Sequence, residues 1–233
     1  TVLRGGKVAG SADPETATQQ SLANLMVGRD VVFRVEKGEA HPGETVLTIE
    51  HLCVEDDRGV QTVNDFNVQV RKGEIFGVAG VQGNGQRELV EAIAGMRRKV
   101  SGRVHILDVD ATKMHPRKVT DLGTAHIPED RNKHGLVGSY SVADNLVLNR
   151  YHKTPFSRGG VRNEDAMRSN AAELIEQYDI RTPSVDVAVS TLSGGNQQKV
   201  IVARELSGEI GVLVVSQPTR GLDVGSSEFI HNQ

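Results

Sequence analysis

Apolar and polar positions change their period several times along this chain, and each change marks an element. Residues 1–8 read as two short strands about a Gly5-Gly6 turn, and residues 14–28 place Leu22, Leu25 and Met26 on one helical face. Residues 34–45 are charged and carry Gly and Pro, the composition of a linker. A strand begins at 46–49, the chain turns at 56–59, and residues 63–70 alternate as a further strand. Residues 75–79 and 211–215 are short apolar runs suited to buried strands, the second of parallel type. Helical spacing recurs at 86–96 (Leu89, Ile93, Met96), at 141–149 (Val142, Leu146, Leu148) and at 164–178 (Ala166, Ala171, Leu174, Ile175). Residues 101–106 read as a strand, and 116–121 and 200–206 as helices.

Composition narrows the classes. With 37% hydrophobic and 24% charged residues the chain is ordinary for a globular protein, and 233 residues suffice for one or two domains. A net charge of −3 gives no sign of a nucleic-acid surface, so no nucleic-acid partner is expected. No apolar run approaches the ~18 residues of a membrane span, so a membrane role would come through a partner. Cys53 is the single cysteine; no internal disulfide can form, a reducing cytoplasm fits, and a small core residue is expected there. Aromatic residues are 3% of the chain, so the core must be aliphatic. His126, His134 and His152 have no metal-ligand spacing and read as packing or surface residues.

Two glycine-rich turns carry the candidate chemistry. In LSGGNQQK, 192–199, Ser193, Gly194 and Gly195 stand at the mouth of a helix, whose free N–H groups and dipole favour an anion, phosphate above all. Gly80 to Gly85 lies between a strand and a helix with the spacing of G-x-x-x-x-G-K-[ST]. The last two positions depart from it: Gln86 replaces Lys and Arg87 replaces Ser or Thr. A backbone nest could still cradle phosphate, but the Lys charge and the hydroxyl that ligates Mg²⁺ are gone.

LSGGNQQK resembles the signature motif of the ABC-transporter ATPases, in the Asn-Gln-Gln form common among sugar and nucleoside importers, and the resemblance runs along nearly the whole chain. It implies an α/β fold: a P-loop NTPase (RecA-like) mainly parallel sheet with an antiparallel β-subdomain and a helical insertion at about 132–198. It implies that residues 1–33 are the tail of a first ATPase domain, 34–45 a linker, and 46–233 a second ATPase domain, cut short. The nucleotide-binding positions would be Gly80, Gly83, Asn84, Gly85, Gln86, Arg87 and Glu88 at the P-loop, and Ser193, Gly194, Gly195 and Asn196 in the signature, with Asp223 in the D-loop. Glu129 stands at the Q-loop position, where Gln is usual. Ser216 and Gln217 stand where the family has the Mg²⁺-binding Asp and the water-polarising Glu. Gln217 can orient a water but cannot serve as a base. Around 55–58, where the family usually stacks an aromatic on adenine, the sequence is Glu-Asp-Asp-Arg.

These departures fall together in one site, while the signature is intact. In the family each ATP lies between the P-loop of one domain and the signature of the other. The resemblance therefore implies a weak or inactive P-loop here and a signature that completes the other domain's ATP site. ATP, with Mg²⁺ mainly at that other site, would be the ligand. Partners would be the first ATPase domain of the same chain, transmembrane permease subunits and an extracytoplasmic solute-binding protein, with the subunit peripheral on the cytoplasmic face of the membrane. The stretch at 151–157, with Tyr151, Pro155, Phe156 and Ser157, resembles importers that work with purine-nucleoside-binding lipoproteins. Two other readings stay open: a non-transporting ABC nucleotide-binding protein, expected to keep the Lys, Asp and Glu missing here, and a structural pseudo-ATPase domain, which nucleotide binding would distinguish.

Overall fold

The computed structural model describes residues 1–30, 38–97 and 100–233. The N-terminal residues form an antiparallel hairpin, β1 (Val2–Arg4) and β2 (Lys7–Gly10), and a helix, α1 (Gln19–Val27). Thr18 and Ser21 cap α1 reciprocally: Thr18 Oγ1 accepts from the Ser21 N–H at 3.1 Å and Ser21 Oγ from the Thr18 N–H at 3.0 Å. The expected apolar face is only half used. Leu25 packs over Gly10, whereas Leu22 and Met26 are exposed. Arg29, after the helix, pairs with Glu228 at 2.7 Å. Part of the expected linker, 34–37, and the end of the expected first-domain tail, 31–33, lie outside the described residues; the remainder, 38–44, has no regular structure.

Alternation builds the main antiparallel sheet. Strands β3 (Thr45–Glu55), β4 (Gln61–Arg71), β5 (Val100–Ile106) and β6 (Val109–Asp110) are ordered β4-β3-β5-β6. Leu47, Ile49, Val104 and Ile106 form a core with Leu89, Ala92 and Ile93 of helix α2 (Gln86–Ile93). Met96 lies beyond the end of α2 and is exposed. Cys53 is partly exposed on β3 rather than in the core.

Helix α3 (Pro116–Asp121) leads into β7 (Thr124–Ile127), whose parallel partner is β10 (Val212–Val215). Between them come a π-helical turn (Arg131–Gly135), α4 (Val142–Leu146), a small hairpin of β8 (Ser157–Arg158) and β9 (Val161–Arg162), and α5 (Glu164–Gln177). A 3-10 turn (Val189–Thr191) precedes α6 (Gly194–Leu206), and α7 (Val224–His231) follows β10. A second core joins Leu146, Ala171, Leu174, Val200 and Ile201. Helix α6 is held from beneath by a buried polar network. Glu205 accepts from the His126 N–H at 3.1 Å and from Arg204 Nε at 2.8 Å, and Arg204 Nη1 donates to the Gly135 carbonyl at 2.8 Å. The signature helix is thus tied to β7 and to the turn after it.

Two expected strands need correction. Residues 75–79 are not a buried strand: among the described residues they pair with no strand, and Ile75 is 88% exposed. An apolar run becomes a buried strand only where a ladder and a covering layer receive it. In β10, Val212 is buried while Leu213 and Val215 point outward, so one face of that strand is uncovered. An open cleft of about 1370 Å³ runs along this face, between 75–78 and β10.

Candidate functional site

The P-loop closes through backbone conformation. Gly83 and Gly85 have φ of 94° and 96°, which favour glycine. A Cβ on Gly85 would stand 2.5 Å from the Thr62 carbonyl oxygen. Gly85 caps α2 without a side chain, which leaves the first amides of the helix available to an anion. Gln86 turns its carboxamide back over the loop and donates to the Val81 carbonyl at 3.1 Å. Its Nε2 lies 2.3 Å from where a Cβ on Gly80 would stand.

The next two residues are committed elsewhere. Arg87 pairs with Glu91 at 2.8 Å, one turn further into α2, and with Asp57 at 3.8 Å. The Glu91 carboxylate, first among the causes, holds this guanidinium more firmly charged. Glu88 is buried and meets Arg97 at 3.4 Å. Arg97 also meets Glu91 at 2.7 Å and Asp57 at 2.9 Å. The acidic turn at 56–57 is therefore bound to the side of α2. The structure brings Gly80, Gly83, Asn84, Gly85 and Gln86 to the loop and turns the side chains of Arg87 and Glu88 away from it.

The cleft also receives Glu129, Ser216, Gln217 and Arg220. Gln217 has φ of 45°, unusual for a non-glycine residue, at the end of β10. Glu129 forms an ion pair with Arg220 and accepts from Gln82 Nε2 at 3.4 Å. This donor set does not fit Mg²⁺. A hard cation needs anionic or neutral oxygen ligands, yet a guanidinium, a hydroxyl and a carboxamide occupy positions 87, 216 and 217, and Glu129 is neutralised by Arg220. Among the described residues no cluster of His, Cys, Asp or Glu could hold a metal.

The signature is built as a helix start. Ser193 caps α6, accepting from the Asn196 N–H at 3.5 Å and from Asn196 Nδ2 at 3.0 Å. Asn196 Oδ1 accepts from the Arg181 N–H at 2.9 Å. Both glycines are approached by side chains of this same chain. The Arg131 guanidinium lies over Gly194, its Nη2 2.7 Å from where a Cβ would stand, and Ser226 Oγ lies 2.4 Å from the corresponding point on Gly195. Asp223 caps α7 through the Ser226 N–H at 2.9 Å and the Ser226 hydroxyl at 2.7 Å. Burial raises its carboxyl pKa, but the Ser226 hydrogen bonds outweigh that, and the net shift is downward. Ser193 and Gly194 are not among the residues lining the cleft.

The model of the family described as "ABC transporter" matches residues 63–220. The chain belongs to that family. Its fold, a P-loop cassette, is also that of solved cassettes. The ATP-binding cassette MJ0796, described as dimeric and bound to ADP and Pi, superposes with a TM-score of 0.66 at 20% identity, covering 79% of each chain. The cbiO1 protein of Clostridium perfringens does so with a TM-score of 0.60 at 22% identity, covering 82% of this chain and 73% of that one. Among curated ABC relatives, a guanosine import ATP-binding protein of Bacillus subtilis is 46% identical over 100% of this chain and 46% of its own length. A nucleoside import ATP-binding protein of Lactococcus lactis has the same identity and coverage. A glucose import ATP-binding protein of Haloferax volcanii is 40% identical over 99% of this chain and 42% of its own. The chain thus spans less than half the length of these ABC relatives.

Sequence reasoning passed over Gln82, Arg131 and Arg220, the side chains that surround Glu129 and Gly194 here. Arg220 sits beside the D-loop Asp223 and could have been noted; Arg131 reaches Gly194 only through the fold.

Proposed function

We propose that this chain is part of a tandem ATP-binding subunit of a bacterial importer, with residues 1–33 closing one cassette, 34–45 linking, and 46–233 forming most of another. The subunit would bind the cytoplasmic face of transmembrane permease subunits and act with an extracytoplasmic solute-binding protein. The P-loop of this cassette is weak or inactive in hydrolysis. Its amide nest suits phosphate, but Gln86 contributes no charge, Arg87 is held by Glu91, and the metal positions lack carboxylates. Its signature completes the ATP site of the other cassette, where Mg²⁺ would act with that cassette's own ligands.

The observation that carries this reading is the placement of Ser193 and Gly194 outside the cleft of their own P-loop, on an ordered helix start. There the Ser193 hydroxyl and the first α6 amides can meet a γ-phosphate presented by a second cassette. The 46% identity with guanosine and nucleoside importers, against 40% with a glucose importer, favours a nucleoside as solute. The test is ATP-dependent uptake by the whole importer in proteoliposomes, with labelled guanosine, glucose and xylose compared. Saturable guanosine uptake is expected; uptake of a sugar alone would move the assignment to sugars, and uptake of none would contradict it.

A further inference from the structure

We infer that Glu129, Arg220 and Arg131 form a positioning relay that sets the signature turn according to the state of the P-loop. It rests on the reading of the signature given above. The contacts run without a break across four loops. Gln82, in the P-loop, donates to Glu129 at 3.4 Å. Glu129 pairs with the Arg220 guanidinium. The Arg220 carbonyl accepts from Arg131 Nη1 at 3.3 Å, and the same guanidinium lies over Gly194. Asp130, between Glu129 and Arg131, fixes the start of the π-helical turn by accepting from the Asn132 and Lys133 N–H groups at 3.0 and 3.1 Å. Glu129 and Arg131 therefore move as one rigid corner.

The Glu129–Arg220 pair is open to solvent, and such pairs contribute little to stability. What it contributes is geometry. An anion entering the loop draws Gln82 and repels the Glu129 carboxylate, because like charges cannot share the mouth of the cleft. Any shift of Glu129 carries Arg220 with it, and the Arg220 backbone carries Arg131 across Gly194. Arg131 Nε is buried with no hydrogen-bond partner, so the guanidinium has a donor ready for a second arrangement. Gly194 must be glycine here because the guanidinium rests where a side chain would begin.

The test uses the full-length subunit in its complete importer, with spin labels on Val60→Cys and Ser190→Cys in a cysteine-free background. Turnover of ATP and the label-to-label distance are measured for Glu129→Ala, Arg220→Ala, Arg131→Ala and the charge swap Glu129→Arg/Arg220→Glu. Each single variant is expected to lower kcat about tenfold with KM for ATP changed less than about twofold, and to broaden the distance distribution. The swap should restore most of kcat and the narrow distribution, which loss of fold would not permit. Ser193→Ala serves as reference. If it has no effect on turnover, the reading of the signature fails and the relay with it. If Ser193→Ala is inactive while the relay variants keep wild-type kcat, or the swap is no better than the single variants, the relay alone is overturned.

Discussion

The Gln86 carboxamide donates to the Val81 carbonyl at 3.1 Å, across the loop that should receive a phosphate. An ammonium at this position could neutralise phosphate charge, whereas a carboxamide is neutral and here satisfies the loop itself. Gln86→Lys with Arg87→Ser should therefore tighten Mg·ATP binding to this cassette by about tenfold or more, with hydrolysis still weak because Gln217 is unchanged. Gln86→Lys alone should give most of the gain, since Arg87 faces Glu91 and Asp57. Isothermal titration checks this; unchanged affinity would mean that the loop is not shaped for phosphate.

Gly83 and Gly85 share a left-handed backbone but differ in surroundings. A Cβ on Gly83 meets nothing within 4 Å, while one on Gly85 meets the Thr62 carbonyl oxygen at 2.5 Å. Gly83→Ala should cost about 1 kcal/mol, the strain of the conformation alone. Gly85→Ala should cost at least about 2 kcal/mol more, because backbone must move. Urea unfolding of the two variants decides; equal costs would contradict the close approach at Thr62.

His126 makes stability depend on pH. Burial, the largest cause, lowers its pKa from the ordinary 6.5; Glu205 opposes this and Arg204 adds to it. The unfolded chain therefore binds a proton before the folded one does. The contribution is fully present above about pH 6.5 and is lost as pH falls below that toward the folded value. The lowered carboxyls of Asp130 and Asp223, whose ordinary value is 3.8, act in a separate, more acidic window. Urea midpoints between about pH 7.5 and 5 should fall for the wild type and fall less for His126→Leu. Parallel curves would show that His126 is not the group responsible.

Much of the fold was legible from local pattern. Pro116 at the first helical position marks α3, and the Gly5-Gly6 turn marks the first hairpin. Burial at 75–79 was not legible, because an apolar run does not say whether a neighbouring strand is present to pair with it. Leu213 and Val215 mislead for the same reason. At the site, the glycine positions were read from spacing alone. The direction of Arg87 was within reach, since Glu91 follows it by one helical turn. Arg131 and Gly194 are brought together by a π-helical turn, and local pattern does not encode that contact.

The central claim is that catalysis depends on this chain's signature and not on its own P-loop. Ser193→Ala, Gly194→Asp, Gln86→Ala and Gln217→Ala should be compared in the whole importer reconstituted in liposomes, by solute-stimulated ATP turnover. At Gly194 the new side chain must displace Arg131 and would hold the two cassettes apart, which aligned transfer cannot tolerate. The signature variants are expected to lose about a hundredfold or more in turnover, and the two Gln variants less than about threefold. Equal damage from the Gln86 and Gln217 variants would contradict the division of labour between the two sites.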